Sequence, residues 1–227
     1  MELLLPRVVA PARILPSYVK LDMAFGVGAG TTLYDKSRYR SHGAIVSTDV
    51  FWAAGLHGYC GNFSPIAYVE IPAAKTQLNF TSEKFSMIAR IRIDDLTTWR
   101  RIFNRGLAGA DGYQWYIHST GRNYFRTSTA LGDTDSCSAA GSILINTRYT
   151  VGVSRNGASV RVYINGVDST TTAGVHPDPT TCARSAKIGI YDDLVSTPFD
   201  GKMEFLRSFG GVALSASEHL AWHNALK

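Results

Sequence analysis

An all-β sandwich of two antiparallel sheets, with one short C-terminal helix, is what this sequence predicts, and three observations predict it. Short runs rich in Val, Ile, Tyr and Phe alternate with clusters of Gly, Ser, Thr, Asn and Asp, while helical periodicity is nearly absent. Residues 159–168, SVRVYINGVD, alternate Val160, Val162 and Ile164 with Arg161, Tyr163 and Asn165, the period of a strand with one buried face. That run ends in Asn165-Gly166, a dipeptide that tolerates the positive φ of a tight turn. Finally, 227 residues with 45% hydrophobic and 18% charged content suit one sandwich with a sizeable core and argue against disorder.

The elements follow in chain order. MELLLPRVVAPARILPSYVK is apolar but broken by Pro6, Pro11 and Pro16, so it is neither one helix nor a membrane span. It lacks the basic start and unbroken apolar stretch of a signal peptide. Residues 1–18 are therefore expected as an extended arm, docked on a neighbouring subunit or a particle surface, or else serving as a tail before an edge strand. The domain proper is expected over 19–227, with Val19 to Met23 entering a sheet.

Residues 112–128, GYQWYIHSTGRNYFRTS, read as a hairpin turning at 120–123. On its first strand Tyr113, Trp115 and Ile117 share one face, and Gln114, Tyr116 and His118 share the other. The apolar set is assigned to the core. The second set places a ring beside polar donors, as a sugar requires, and is the candidate glycan face; cover by loops or a neighbour is the alternative. Trp52, Trp99 and Trp222 are assigned to the core. Residues 128–142 and 168–185, small, polar and rich in turn formers, are expected as long loops at one edge. Residues 149–157 form the strand preceding 159–168, turning at Arg155-Asn156-Gly157. At the end of the chain Ser215-Ala216-Ser217-Glu218 is a capping box, and Leu220, Ala221, Ala225 and Leu226 form an apolar stripe to lay against a sheet.

VRVYINGV resembles the hallmark strand of laminin-G-like, concanavalin A-like jelly-roll domains, and four other segments are similar in the same order. AFGVGAGTTLYDKSRYRSHGAI (24–45) looks like the family's opening strand and D-x-S-G-N loop, with Asp35, Ser37 and Gly43 at matching positions and Arg38 in place of a glycine. GYCGNFSPIAYVEIP (58–72), FSMIARIRIDD with WRRIFNRG (85–95 and 99–106), and FDGKMEFLRSFGGVALSASEH (199–219) resemble the following strands and the closing motif. The resemblance implies a fold that mostly binds and only sometimes catalyses, with ligands held by loops and the concave sheet. It also implies a calcium ion at the loop rim in many members. Asp22, Asp35 and Glu204 would be the ligands here, but Glu204 replaces an aspartate and Phe205 a second acid, which argues against the ion.

Catalysis is not expected. The E-x-D-x-x-E run of jelly-roll glucanases is missing; Asp94-Asp95 and Asp192-Asp193 are adjacent, so each pair faces opposite sides of a strand or sits in a turn. His118, His176, His219 and His223 lack a companion nucleophile in any recognisable motif. Of three cysteines, Cys137 and Cys182 are the plausible disulfide pair and Cys60 a buried thiol; no spacing suits zinc. A formal charge of +5, with arginines clustered at 38–40, 100–105 and 122–126, is assigned to solvated strand faces and turns, and no motif of a specific nucleic-acid reader accompanies it. Two functions follow. The first is a particle-associated structural or adhesion protein, such as a virion decoration or fibre-like component on a virion or extracellular surface. The second is a carbohydrate-binding lectin-like module of a cell-surface or secreted protein.

Overall fold

A computed structural model describes residues 16–49, 51–63 and 67–225 of the protein. Residues 1–15 of the expected arm lie outside them. Along the described residues run β1 (Val19–Ala24), β2 (Thr32–Leu33), β3 (Gly43–Val46), β4 (Trp52–Gly55), β5 (Gly58–Phe63), β6 (Tyr68–Ile71), β7 (Phe85–Ile93), β8 (Arg100–Leu107) and β9 (Asp111–His118). They are followed by β10 (Arg122–Thr129), β11 (Gly132–Ser138), β12 (Arg148–Asn156), β13 (Ser159–Ile164), β14 (Val167–Asp168), β15 (Thr170–Ala173), β16 (Ala186–Ile188), β17 (Gly201–Gly210) and the helix α1 (Ala216–Asn224). Two antiparallel sheets result. One has the order β14-β13-β12-β7-β17-β5-β4, with β1 also on β17; the other runs β15-β11-β10-β9-β8-β16-β6-β3-β2. No helix among the described residues is long and apolar enough to cross a membrane.

Period-two patterning builds the core. Met87, Ala89, Ile91 and Ile93 of β7, Val151 and Val153 of β12, and Val160 and Val162 of β13 cluster with Tyr113, Trp115, Ile117 and Phe125 from the facing sheet. Burying each such side chain stabilises the fold by roughly 1.5–3 kcal/mol. One polar residue crosses this interior. The Asn123 amide accepts from Trp115 Nε1 at 2.7 Å and donates to the carbonyls of Gly152 and Tyr163 at 3.1 Å, joining β10 to β12 and β13. Its side chain is satisfied at both ends, so it fixes how the sheets face each other without leaving an orphaned polar group.

The hairpin of β13 and β14 closes on Asn165 (φ 51°) and Gly166 (φ 82°), with Ile164 opposite Val167. Two positive φ values in a two-residue loop match the right-handed twist of the flanking strands. The preceding turn falls later than the sequence suggests. Arg155 and Asn156 still pair with Val160 and Ser159, so the turn is made by Gly157 and Ala158.

Residues 128–142 are not a long loop: most of them form the end of β10 and all of β11. Thr134, Asp135 and Ser136 lie opposite Thr127, Arg126 and Phe125, and Arg126 grips Asp135 through two contacts of 2.7 Å. A ladder and a bidentate ion pair hold this strand, which carries too little apolar alternation to be recognised in isolation. In 168–185 the ladder continues into β15, and the rest is pinned from below. His176 is fixed between Thr127 Oγ1 (2.9 Å) and Ser136 Oγ (2.8 Å), and the buried Arg155 guanidinium meets Asp178 at 2.6 Å.

Helix α1 begins as its capping box dictates. Glu218 N donates to Ser215 Oγ, and Ser215 N donates back to the Glu218 carboxylate at 2.8 Å. Its buried face differs from the expected stripe, since Leu220 is 43% exposed, Ala221 and Ala225 are exposed, and Leu226 lies outside the described residues. The helix docks instead through His219, 1% exposed, whose Nε2 lies 2.9 Å from Ser154 Oγ and whose ring stacks 3.9 Å from that of Tyr163. Gly152 makes room, because a Cβ there would come 2.5 Å from the imidazole. Trp222 joins Val19, Ile88, Phe209 and Leu214 beside it. The outer face of this sheet offers hydroxyls as well as apolar groups, and that mixture selects an amphipathic histidine and tryptophan.

The expected link between Cys137 and Cys182 is not formed; all three cysteines are buried free thiols. Cys137 lies opposite Tyr124, which lies opposite Tyr116, whereas Cys182 sits beside Gly112 and Tyr113. The two are separated by two strands across and by roughly 10–13 Å along the strand direction, beyond the reach of a disulfide.

Candidate functional site

The centre of the nine-stranded sheet is β8-β9-β10. Tyr113, Trp115 and Ile117 of β9 face the core, so strand alternation turns Gln114, Tyr116 and His118 to the outer side. Register gathers their neighbours. Tyr116 stands between Arg101 and Tyr124, Gln114 between Asn104 and Arg126, and His118 opposite Arg122. Trp99, just before β8, completes a ridge of rings. Trp99 stacks on Tyr116 (centroids 5.1 Å apart, planes 12°) and Tyr116 on Tyr124 (5.2 Å, 16°), while His118 lies 5.3 Å from Trp99 and 5.5 Å from Tyr124.

The three residues expected to line a glycan face thus share one side, but two of them are covered. Gln114 and Tyr116 are 0% exposed, and only His118 keeps a half-buried surface. The half-buried rings Trp99, His118 and Tyr124 are what the ridge presents to solvent. Trp99, assigned to the core from sequence, belongs to this outer ridge.

Arg101 provides the cover. It is 3% exposed, donates from Nη1 to Gln114 Oε1 at 2.8 Å and from Nε to Thr197 Oγ1 at 3.0 Å, and lies 4.4 Å over the Tyr116 ring and 4.6 Å over that of Tyr191. Burial pulls its pKa down to about 10, although the neighbouring tyrosines partly oppose this. Arg126 is held firmly charged by its hydrogen bonds to Asp135 and further supported by Asp133 at 3.1 Å. Burial raises the Tyr116 phenol above its ordinary range; burial and then Arg122 push His118 below the usual imidazole value. Arg100, Arg101 and Arg105 are all buried, so the 100–105 cluster is not the solvated face expected of it. Consecutive Arg100 and Arg101 take different surroundings: Arg100 binds Asp95 and the Pro198 carbonyl, whereas Arg101 enters the aromatic ridge. The segment 189–198 supplies Tyr191 and Thr197 over the face, and passes through positive φ at Leu194 (62°) and Thr197 (51°).

The residues considered for calcium are engaged elsewhere. Asp22 accepts from Arg207 (2.5 and 2.8 Å), and Glu204 lies between Arg90 (3.4 Å) and Arg148 (3.0 Å). Asp35 accepts from the amides of Asp22, Ser37 and Ser41 and from the Ser37 hydroxyl, all at 2.7–2.8 Å. It organises the loop joining β2 to β3. Among the described residues no three His, Cys, Asp or Glu side chains converge as a metal site.

A mostly β chain in two antiparallel sheets, with one short C-terminal helix, has the architecture of a concanavalin A-like sandwich. Residues 66–218 match the family model described as the concanavalin A-like lectin/glucanases superfamily, laminin G type, and the chain belongs to that family. No curated protein sequence matches it significantly. Among solved structures it is similar to domain 4 of AbnA, an extracellular GH43 arabinanase from Geobacillus stearothermophilus in complex with arabinotriose (TM-score 0.64, 18% identity, 89% of this chain and 97% of that one). It is also similar to the botulinum neurotoxin serotype G binding domain (0.65, 15%, 92% of this chain and 51% of that one). A third is Trypanosoma rangeli sialidase in complex with 2,3-difluorosialic acid (0.65, 14%, 94% and 34%). The chain spans about half of the toxin domain and a third of the sialidase. At these identities the likeness is one of fold.

Proposed function

We propose that the protein is a non-catalytic carbohydrate-binding module whose ligand lies along Trp99, His118 and Tyr124. The observation that carries this reading is the ridge itself: three half-buried rings next to Arg122 and Arg126, on a sheet face whose opposite side is core. Rings of this kind give a sugar apolar faces to lie on, and the adjacent side chains give its hydroxyls partners. The similarity to an arabinanase domain seen with arabinotriose supports the same reading. On a glycan array the protein is expected to retain a defined set of oligosaccharides, and Trp99→Ala or Tyr124→Ala to weaken retention roughly tenfold. Unchanged retention in both variants would remove the ridge from the binding surface.

A second reading, attachment to a larger particle as a structural or adhesion component at a virion or extracellular surface, is favoured by an apolar groove of about 570 Å³. Tyr18, Phe209, Val212, Leu214, Trp222 and Ala225 line it, where the chain enters β1. Under this reading, deletion of residues 1–18 leaves a folded domain that no longer assembles. Native mass measurement decides it: an unfolded truncation would place those residues in the domain's own core, and an unchanged assembly would leave them without a role in attachment.

A further inference from the structure

The ridge carries guanidinium groups that lack a paired carboxylate. Tyr116 Oη, Gln114 Nε2 and the neighbouring Asn104 Oδ1 are buried with no hydrogen-bond partner among the described residues. Arg101 has no carboxylate within salt-bridge distance among them, only Asp193 acting on it at longer range. Arg122, half-buried and opposite His118, has just the Cys137 sulfur at 3.6 Å as a side-chain partner. The two acids that β11 contributes to this face are already engaged. Asp135 is taken by Arg126, and Asp133 by Arg126, Ser128 Oγ (2.7 Å) and Gly109 N (2.7 Å). Guanidinium groups removed from water without a counter-charge are destabilised, and a ligand that supplies negative oxygens relieves this.

We infer that the ridge takes an acidic glycan, whose carboxylate or sulfate group is set against Arg122 between the rings of His118 and Tyr124. An acid group brings negative oxygens that a guanidinium meets with charge-assisted hydrogen bonds, whereas a neutral sugar hydroxyl brings no charge to offset Arg122. Arg122 is the half-buried cation, and the buried Arg101 over the Tyr116 ring adds positive charge to the same face. This inference rests on the reading of the ridge as a glycan site.

The test uses the full chain on an array carrying neutral, carboxylated and sulfated forms of the same glycans. Binding is expected only to the acidic forms, weakened roughly tenfold or more by Arg122→Gln, as befits a lost charge-assisted hydrogen bond. Arg122→Lys, which keeps the charge, retains most of it, and melting curves confirm that both variants fold. The carboxylated and sulfated arms separate the two sources of negative oxygen, and preference for either supports the inference. Equal binding of neutral forms, with Arg122→Gln silent and Trp99→Ala disruptive, would overturn the acidic ligand and keep the ridge as a glycan site. Acidic binding indifferent to Arg122→Gln would also overturn it. No binding to any glycan would overturn both.

Discussion

Gly166→Val is expected to destabilise the domain by about 2–4 kcal/mol, combining a positive φ that a β-branched residue resists with an imposed clash. Gly166 has φ +82°, and a Cβ built there comes 2.4 Å from Leu220 Cα in helix α1, a backbone atom that cannot turn aside. The substitution therefore strains the β13–β14 turn and also pushes the helix off the sheet. For a chain of this size the melting temperature falls by roughly 5–15 °C. Gly157→Ala is the control. Gly157 also has positive φ, +60°, but nothing lies within 4 Å of its added Cβ, so its effect is limited to backbone strain, about 1 kcal/mol. Equal melting temperatures for the two variants would show that the turn does not seat the helix.

Acid is expected to loosen the fold through two buried imidazoles. His219 and His176 are each 1% exposed, and burial draws both pKa values down to about 4. Arg155 adds to this at His176, while Asp135 opposes it there and Glu218 and Asp168 oppose it at His219. Folded values below the unfolded value of about 6.5 mean that the unfolded chain binds more protons between them. The stability of the neutral state is thus complete above pH 6.5, is lost as pH falls toward 4, and levels off below. Each histidine accounts for about 3 kcal/mol over that window. The two share no hydrogen-bond partner, so the losses add. Urea midpoints between pH 7.5 and 4 for the wild type, His219→Gln and His176→Gln measure this. Each variant should lose part of the pH dependence, and an undiminished slope in both would refute the assignment.

Where a residue's fate depended on its own strand, it was legible. The alternation at 159–164 and 113–117 separated core from outer face correctly, because side chains in a strand point to opposite sides whatever surrounds them. Asn165-Gly166 and Ser215 with Glu218 marked a turn and a helix start through local hydrogen bonding and local φ. β11 was hidden, since Asp133, Thr134, Asp135 and Ser136 are held as a strand by Arg126 and the β10 ladder and not by their own propensity. The helix stripe was misplaced for a similar reason: its docking face is chosen by Ser154, Tyr163 and the space at Gly152.

The sequence by itself determined the two sheets, their buried faces and the grouping of Gln114, Tyr116 and His118 on one side of β9. Which of those three meets solvent was decided only in the tertiary structure. Arg101 of β8 comes to lie on Tyr116 of the adjacent β9, and it is held there by Thr197, 96 residues away in the chain. Trp99 and Tyr124, stacked on either side of Tyr116, become half-buried rings that reach solvent. Periodicity reports the side of a sheet on which a residue points; what crosses above that side is set by contacts distant in sequence, and those arise only when the chain has folded.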